Sequence, residues 1–131
     1  MATLRSHRNE DMKVLEHKAL EISKGLARTF GLDLETDWQE AFDATVNHEH
    51  SNDIVRKVAD VLNFDMLEKD SPFAWSEDFG HFTSKFDGAF FGLGSGTDQP
   101  QLHASSYDFP DEIIPTGSRM FLGIVNQLLG F

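Results

Sequence analysis

The 131 residues predict an α/β protein of the α+β kind, with helices laid over a mixed sheet, on three observations. Apolar residues recur every three or four positions from Met12 to Leu26 and from Ile113 to Leu128, the period of a helix that buries one face. Leu32, Leu34, Trp38 and Phe42 fall on even positions with Asp33, Glu35, Asp37 and Gln39 between them, the period of a strand with one wet face. The glycine-flanked run Gly88-Ala89-Phe90-Phe91-Gly92-Leu93-Gly94 has the length and bounds of a buried strand.

Taken in order, residues 2–6 suit a short strand. Asn9 then suits a helix N-cap, followed by Glu10 and Asp11 in the first turn, where the helix dipole favours acids. Met12, Leu15, Ala19, Ile22 and Leu26 mark the buried stripe, and Gly31 suits the C′ position that stops the helix. With residues 32–42 as a second strand, this strand, helix and strand form half of a small sandwich. Such a half leaves a sheet edge open, so a partner is expected.

After Thr45-Val46-Asn47, Ser51 or Asn52 is placed to cap a second helix, with Ile54, Val55, Val58, Val61 and Leu62 on its apolar stripe. Residues 64–67 suit a further strand. Ser76 suits the cap of a short helix in which Phe79 and Phe82 share a face, and the 88–93 strand follows. Residues 94–110 form a loop longer than most structureless connections, a class that is often functional. The closing helix is expected to bury Ile113, Ile114, Gly117, Phe121, Ile124, Val125 and Leu128.

Composition excludes several function classes. The formal charge of −11, with Arg5, Arg8 and Lys13 spread among acids, argues against nucleic acid, whose affinity comes from cations that neutralise phosphates. No apolar run approaches the roughly 20 residues that cross a bilayer, so no membrane partner is expected. The first nine residues lack a secretory apolar core, and the expected location is cytoplasmic. Without cysteine there is no disulfide framework and no thiolate metal site.

Three segments of the last third follow one another in a fixed order: Ser76-Glu77-Asp78-Phe79, the Gly88 to Gly94 run, and Leu102-His103-Ala104-Ser105-Ser106-Tyr107-Asp108-Phe109. That order resembles the C-terminal end of the zinc-dependent amidohydrolases that include aminoacylases, hippurate hydrolases and related metallocarboxypeptidases. The resemblance implies that residues 1–46 are part of a lid or dimerisation domain and 47–131 the C-terminal part of the catalytic domain. It also implies hydrolysis of N-acyl amino acids or similar small amides, with zinc, or manganese or cobalt, as cofactor.

Within the resemblance His103 corresponds to a metal ligand, although a lone loop histidine read by itself is usually just solvated. Asn47 corresponds to a hinge asparagine that helps hold the substrate carboxylate, or satisfies only a turn backbone. Arg5, in Ala2-Thr3-Leu4-Arg5-Ser6, is suited to bidentate carboxylate recognition, or is an exposed strand-end charge. The other metal ligands and the general base have no counterpart here, so the chain alone is expected to be inactive, with no catalytic residue of its own. Self-association or a missing N-terminal half is the expected partner. A nonenzymatic interaction module of the same descent is the competing reading.

Other motifs carry less. Glu77 and Asp78, as helical neighbours, point about 100° apart and do not converge on one atom. His48-Glu49-His50 reads as an exposed turn with surface histidines. Gly92, Gly94 and Gly96 lack the spacing of a dinucleotide fingerprint. Ala104 and Ser105 near the histidine, the missing prolines around Phe42-Asp43-Ala44, and Trp75 before Ser76 depart from the family pattern and bear on substrate preference.

Overall fold

The computed structural model describes residues 1–75 and 77–131. Four α-helices follow in order: α1 (Asn9–Phe30), α2 (Glu49–Val61), α3 (Gly80–Thr83) and α4 (Ile114–Leu129), the last entered through a 3-10 turn at Asp111–Ile113. The chain divides into two units, residues 1–46 with 69–86, and residues 47–68 with 87–131.

The α/β expectation is overturned, because no strand occurs among the described residues. A strand exists only as part of a ladder, and no ladder runs along any of the predicted stretches among the described residues. In the 32–42 run Glu40 has φ 55°, which breaks the pleat, and Leu32, Leu34, Trp38 and Phe42 all remain exposed. Alternation records a face that needs covering; it does not supply the cover. At Phe64 the amide is already committed to the end of α2, and the Gly88 and Phe90 N–H groups donate to the side chains of His48 and Asn47.

The first unit is organised by α1 and by polar ties. Glu10 and Asp11 lie in the first turn of α1 and Arg28 in the last, as the dipole favours. Gly31, at φ 60°, ends the helix as expected, with Leu32 N–H bonded to Ala27 C=O at 2.9 Å and Gly31 N–H to Arg28 C=O at 3.3 Å, a Schellman arrangement. Asn9 is not the N-cap: that position is Arg8, and the Asn9 side chain bridges to residues 43 and 44. No residue of α1 is buried. Its apolar stripe forms as predicted but faces solvent, with Leu15, Ile22 and Leu26 exposed. The ring of Phe79, the N-cap of α3, lies 5.8 Å from that of Phe82 within the helix. The capping role expected of Ser76 lies outside the described residues.

The second unit holds the apolar core. Helices α2 and α4 pack together around Val58, Ala59 and Met120, with Ile54, Val55, Leu62, Phe64, Phe91 and Ile124 against them. Helix α2 begins before the predicted caps, with His48 at its N-cap. It ends in a second Schellman arrangement, Phe64 N–H to Ala59 C=O and Asn63 N–H to Asp60 C=O, each 2.9 Å. Asn63 takes φ 51° there, a conformation asparagine tolerates better than most residues.

The contact face of α4 matches the predicted one only in part: Ile124 packs against the core, and Ile113 and Gly117 are half-buried. Met120 is its buried residue, and Gly123 lets α2 approach so closely that an added Cβ would lie 2.5 Å from Val58 Cγ1. Phe121, whose ring lies 5.9 Å from that of Phe91, and Val125, Leu128, Leu122 and Leu129 stay 46% to 64% exposed. A helix apolar on all sides suits burial between layers, and here only one side is covered.

The accessible surface totals 11,027 Å². Even two separate compact bodies, each of half this mass, would together expose only about 8,400 Å². The chain therefore leaves uncovered much of the apolar surface its sequence provides.

Candidate functional site

His103 stands at the tip of a tight turn in the 94–110 loop. Ala104 N–H closes that turn on Gln101 C=O at 3.0 Å, and a second turn follows with Tyr107 N–H on Ala104 C=O at 2.9 Å. His103 has φ 70°, where glycine is the comfortable residue of a turn's third position. A non-glycine residue held there costs on the order of 1 kcal/mol, and such costs cluster where a side chain must be presented in one direction. The imidazole is exposed and makes no hydrogen bond or ion pair among the described residues.

A second cluster joins the start of α2 to residues 87–90 of the same unit. The Asn47 amide donates to Phe90 C=O at 2.8 Å and to Asn52 Oδ1 at 3.0 Å, and its Oδ1 accepts Phe90 N–H at 2.8 Å. One side chain thus replaces a neighbouring strand for Phe90, and both amide hydrogens are occupied. His48 continues the pattern. Its N–H donates to Gly88 C=O at 2.9 Å, its Nδ1 accepts Gly88 N–H at 3.2 Å, and its Nε2 lies 3.5 Å from Asp87 Oδ1. His48 is therefore half-buried and engaged through both ring nitrogens, unlike the surface histidine expected; His50 is exposed. Gly88 N–H needs an unprotonated Nδ1, which places the ring proton on Nε2, toward Asp87.

Asn47 and His103 thus belong to one unit, without a hydrogen bond between them. Arg5 belongs to the other, where it is exposed and makes no ion pair among the described residues. Glu77 and Asp78 lie before α3 rather than within a helix, and both are exposed.

The first unit also holds a cluster that sequence reasoning missed. Asp43 Oδ2 lies 3.0 Å from His81 Nδ1, Asp43 Oδ1 accepts from the Asn9 amide at 3.2 Å, and Asn9 Oδ1 accepts Ala44 N–H at 2.7 Å. Gly80 completes it, since an added Cβ would collide with the Asp43 carbonyl oxygen. Nothing local announces this cluster, because its members lie 34 to 38 positions apart.

Electrostatic shifts concentrate at one exposed tie. Arg56 grips Glu68 through Nε at 2.7 Å and Nη2 at 3.3 Å, and reaches Asp53 through Nη1 at 3.2 Å. The hydrogen bond from Arg56, and then its charge, hold the Glu68 carboxyl below its ordinary range, and Glu68 raises Arg56 in the same way. The groove between the ends of α2 and α4, about 540 Å³ and lined by Val58, Val61, Leu62, Gly123 and Phe131, contains no ionisable side chain.

Among the described residues no three His, Cys, Asp or Glu side chains converge to hold a metal ion. A catalytic zinc needs three or more protein ligands, so these residues alone do not fit one.

The chain is similar to several bacterial hydrolases. It is 35% identical over 107 residues to an N-acetyldiaminopimelate deacetylase of Streptococcus uberis, covering 78% of this chain and 27% of that protein. It is 24% identical over 118 residues to an uncharacterized hydrolase of Staphylococcus epidermidis, covering 86% of this chain and 30% of that one. It is 23% identical over 128 residues to YhaA of Bacillus subtilis, provisionally named an amidohydrolase, covering 94% and 32%. The chain spans about 30% of the length of the curated relatives it matches, and their names support kinship with amidohydrolases. No family model matches, and no solved structure matches. No helix among the described residues is long and apolar enough to cross a membrane.

Proposed function

We infer that this chain acts as one segment of a metal-dependent amidohydrolase that cleaves N-acyl amino acids or related small amides. The observation that carries the reading is His103: within the Leu102 to Phe109 stretch that resembles the family's ligand segment, its imidazole is exposed at φ 70° with no protein partner among the described residues. In this reading His103 contributes one ligand to zinc, or to manganese or cobalt. The remaining ligands and the general base come from polypeptide matching the part of the relatives that this chain does not span.

Arg5 and Asn47 are assigned to the substrate carboxylate, Arg5 through its guanidinium fork. For Asn47 the assignment requires that an amide hydrogen leave Phe90 or Asn52, because both are occupied here. The uncovered stripes of α1 and α4 are where the complementary polypeptide, or a second copy, is expected to dock. No reaction step is assigned to the chain alone.

The test is reconstitution. The chain is co-expressed with the complementary portion of a relative, and release of free amino acid from an N-acyl substrate is assayed with and without divalent metal. The expected result is activity that needs both polypeptides and the metal and disappears in His103→Ala. Stable association without metal-dependent hydrolysis favours the interaction-module reading instead. Undiminished activity in His103→Ala removes the imidazole from the metal shell.

A further inference from the structure

We propose that His48 is a pH-operated clip on the segment that follows Asp87: the neutral ring holds Gly88, and protonation releases it. The ring has one arrangement that satisfies both of its contacts. Gly88 N–H points at Nδ1 from 3.2 Å, so Nδ1 must offer a lone pair, and the proton then resides on Nε2, 3.5 Å from Asp87 Oδ1. A second proton has only Nδ1 to occupy. It would set two N–H groups against each other, and the Gly88 amide would lose its acceptor.

The groups around the ring make the response directional. Asp87 is the one ionisable side chain paired with it among the described residues. On its own helix the charged or titratable neighbours are Glu49, His50 and Asp53, while Asn47 and Asn52 are neutral. Asp87 attracts the imidazolium, but its side chain is 81% exposed, so solvent and salt screen that attraction. The Gly88 contact is half-buried, and its loss is the larger effect. A protonated His48 turns toward Asp87 and away from Gly88.

The consequence extends along the backbone. Residues 88–90 are held by the Gly88 C=O bond to His48 N–H, by the ring, and by the two-way bond between Asn47 and Phe90. Removing the ring contact weakens the neighbouring bonds, including those that occupy the Asn47 amide. The segment is held while the ring is neutral and loosened once the ring takes a second proton.

The experiment uses the full chain. Hydrogen-exchange protection of the Gly88 amide and its ¹H–¹⁵N shift are followed by NMR from pH 8 to pH 5, together with the His48 ring resonances. The expected result is a fall in Gly88 protection of roughly tenfold, the change given by losing one net hydrogen bond, with the same midpoint as His48. His48→Asn, whose Oδ1 takes the place of Nδ1 and does not titrate, is expected to keep the Gly88 protection flat over that range. Protection in the parent chain that ignores the His48 midpoint, or an equal fall in His48→Asn, overturns the proposal.

Discussion

The two units of this chain are held by different forces. In the second, α2 and α4 bury Val58, Ala59 and Met120, and polar ties from Asn47 and His48 attach residues 88–90 to that apolar base. In the first, the Asn9, Asp43 and His81 ties are comparably short, yet no residue of α1 is buried. Hydrogen bonds exchanged with water give about 1 kcal/mol net each, whereas a buried large side chain gives two or three times that. The first unit therefore has its geometry specified by polar groups, while its apolar stripe still awaits cover.

Substitutions can break this contrast, and the largest effect belongs to the second unit. Met120→Ala is expected to cost about 2–5 kcal/mol and to melt α2 and α4 together, read as a lowered denaturant midpoint by circular dichroism. A loss no greater than that of an exposed leucine, such as Leu128→Ala, would mean that Met120 is not the anchor.

In the first unit, Asn9→Ala removes two hydrogen bonds and is expected to cost about 1–2 kcal/mol locally. Amide exchange provides the measure: protection across α1 should already be well below that of α2 and α4, and should fall further in the variant. Equal protection in the two units would erase the contrast.

A smaller effect of opposite sign is expected at the turn. His103→Gly relieves the φ 70° conformation and should stabilise the second unit by up to about 1 kcal/mol; under the proposed function it should also abolish metal-dependent activity in the reconstituted enzyme. Gain of stability with loss of activity separates presentation of a ligand from ordinary packing.

The smallest effect belongs to the exposed Arg56 and Glu68 pair. The folded carboxyl titrates below its unfolded value, so its contribution is complete above the unfolded value and fades as pH falls through the folded one. Arg56→Gln should move the Glu68 carboxyl midpoint upward by NMR, and added salt should reduce the difference between the two proteins.

Features set by near neighbours in sequence were legible without coordinates. The stripe of α1, its stop at Gly31 and the existence of a second and a closing helix follow from three- and four-residue spacing and one left-handed glycine. The face of α4 was placed only in part: Ile124 packs on the core as expected, but Phe121, Val125 and Leu128 are as apolar as Met120, and only the neighbour α2 selects among them. The candidate site divides in the same way. The residues around His103 single it out as a candidate, but its unusual φ is not legible in them, and the contacts of His48 depend on Gly88, 40 positions away.

By itself, the sequence determined that α1, α2 and α4 form and that α1 stops at Gly31, because i to i+4 hydrogen bonds and the cap at a left-handed glycine are satisfied within a few residues. It also carries the similarity to bacterial hydrolases whose names support kinship with amidohydrolases. Only the tertiary structure decided that the alternating runs are not strands, that Gly123 admits Val58, and that Asn47 and His48 hold the 88–90 backbone. Those outcomes turn on which distant groups meet, since a ladder, a core and a side-chain clip each need a second surface that local spacing does not encode.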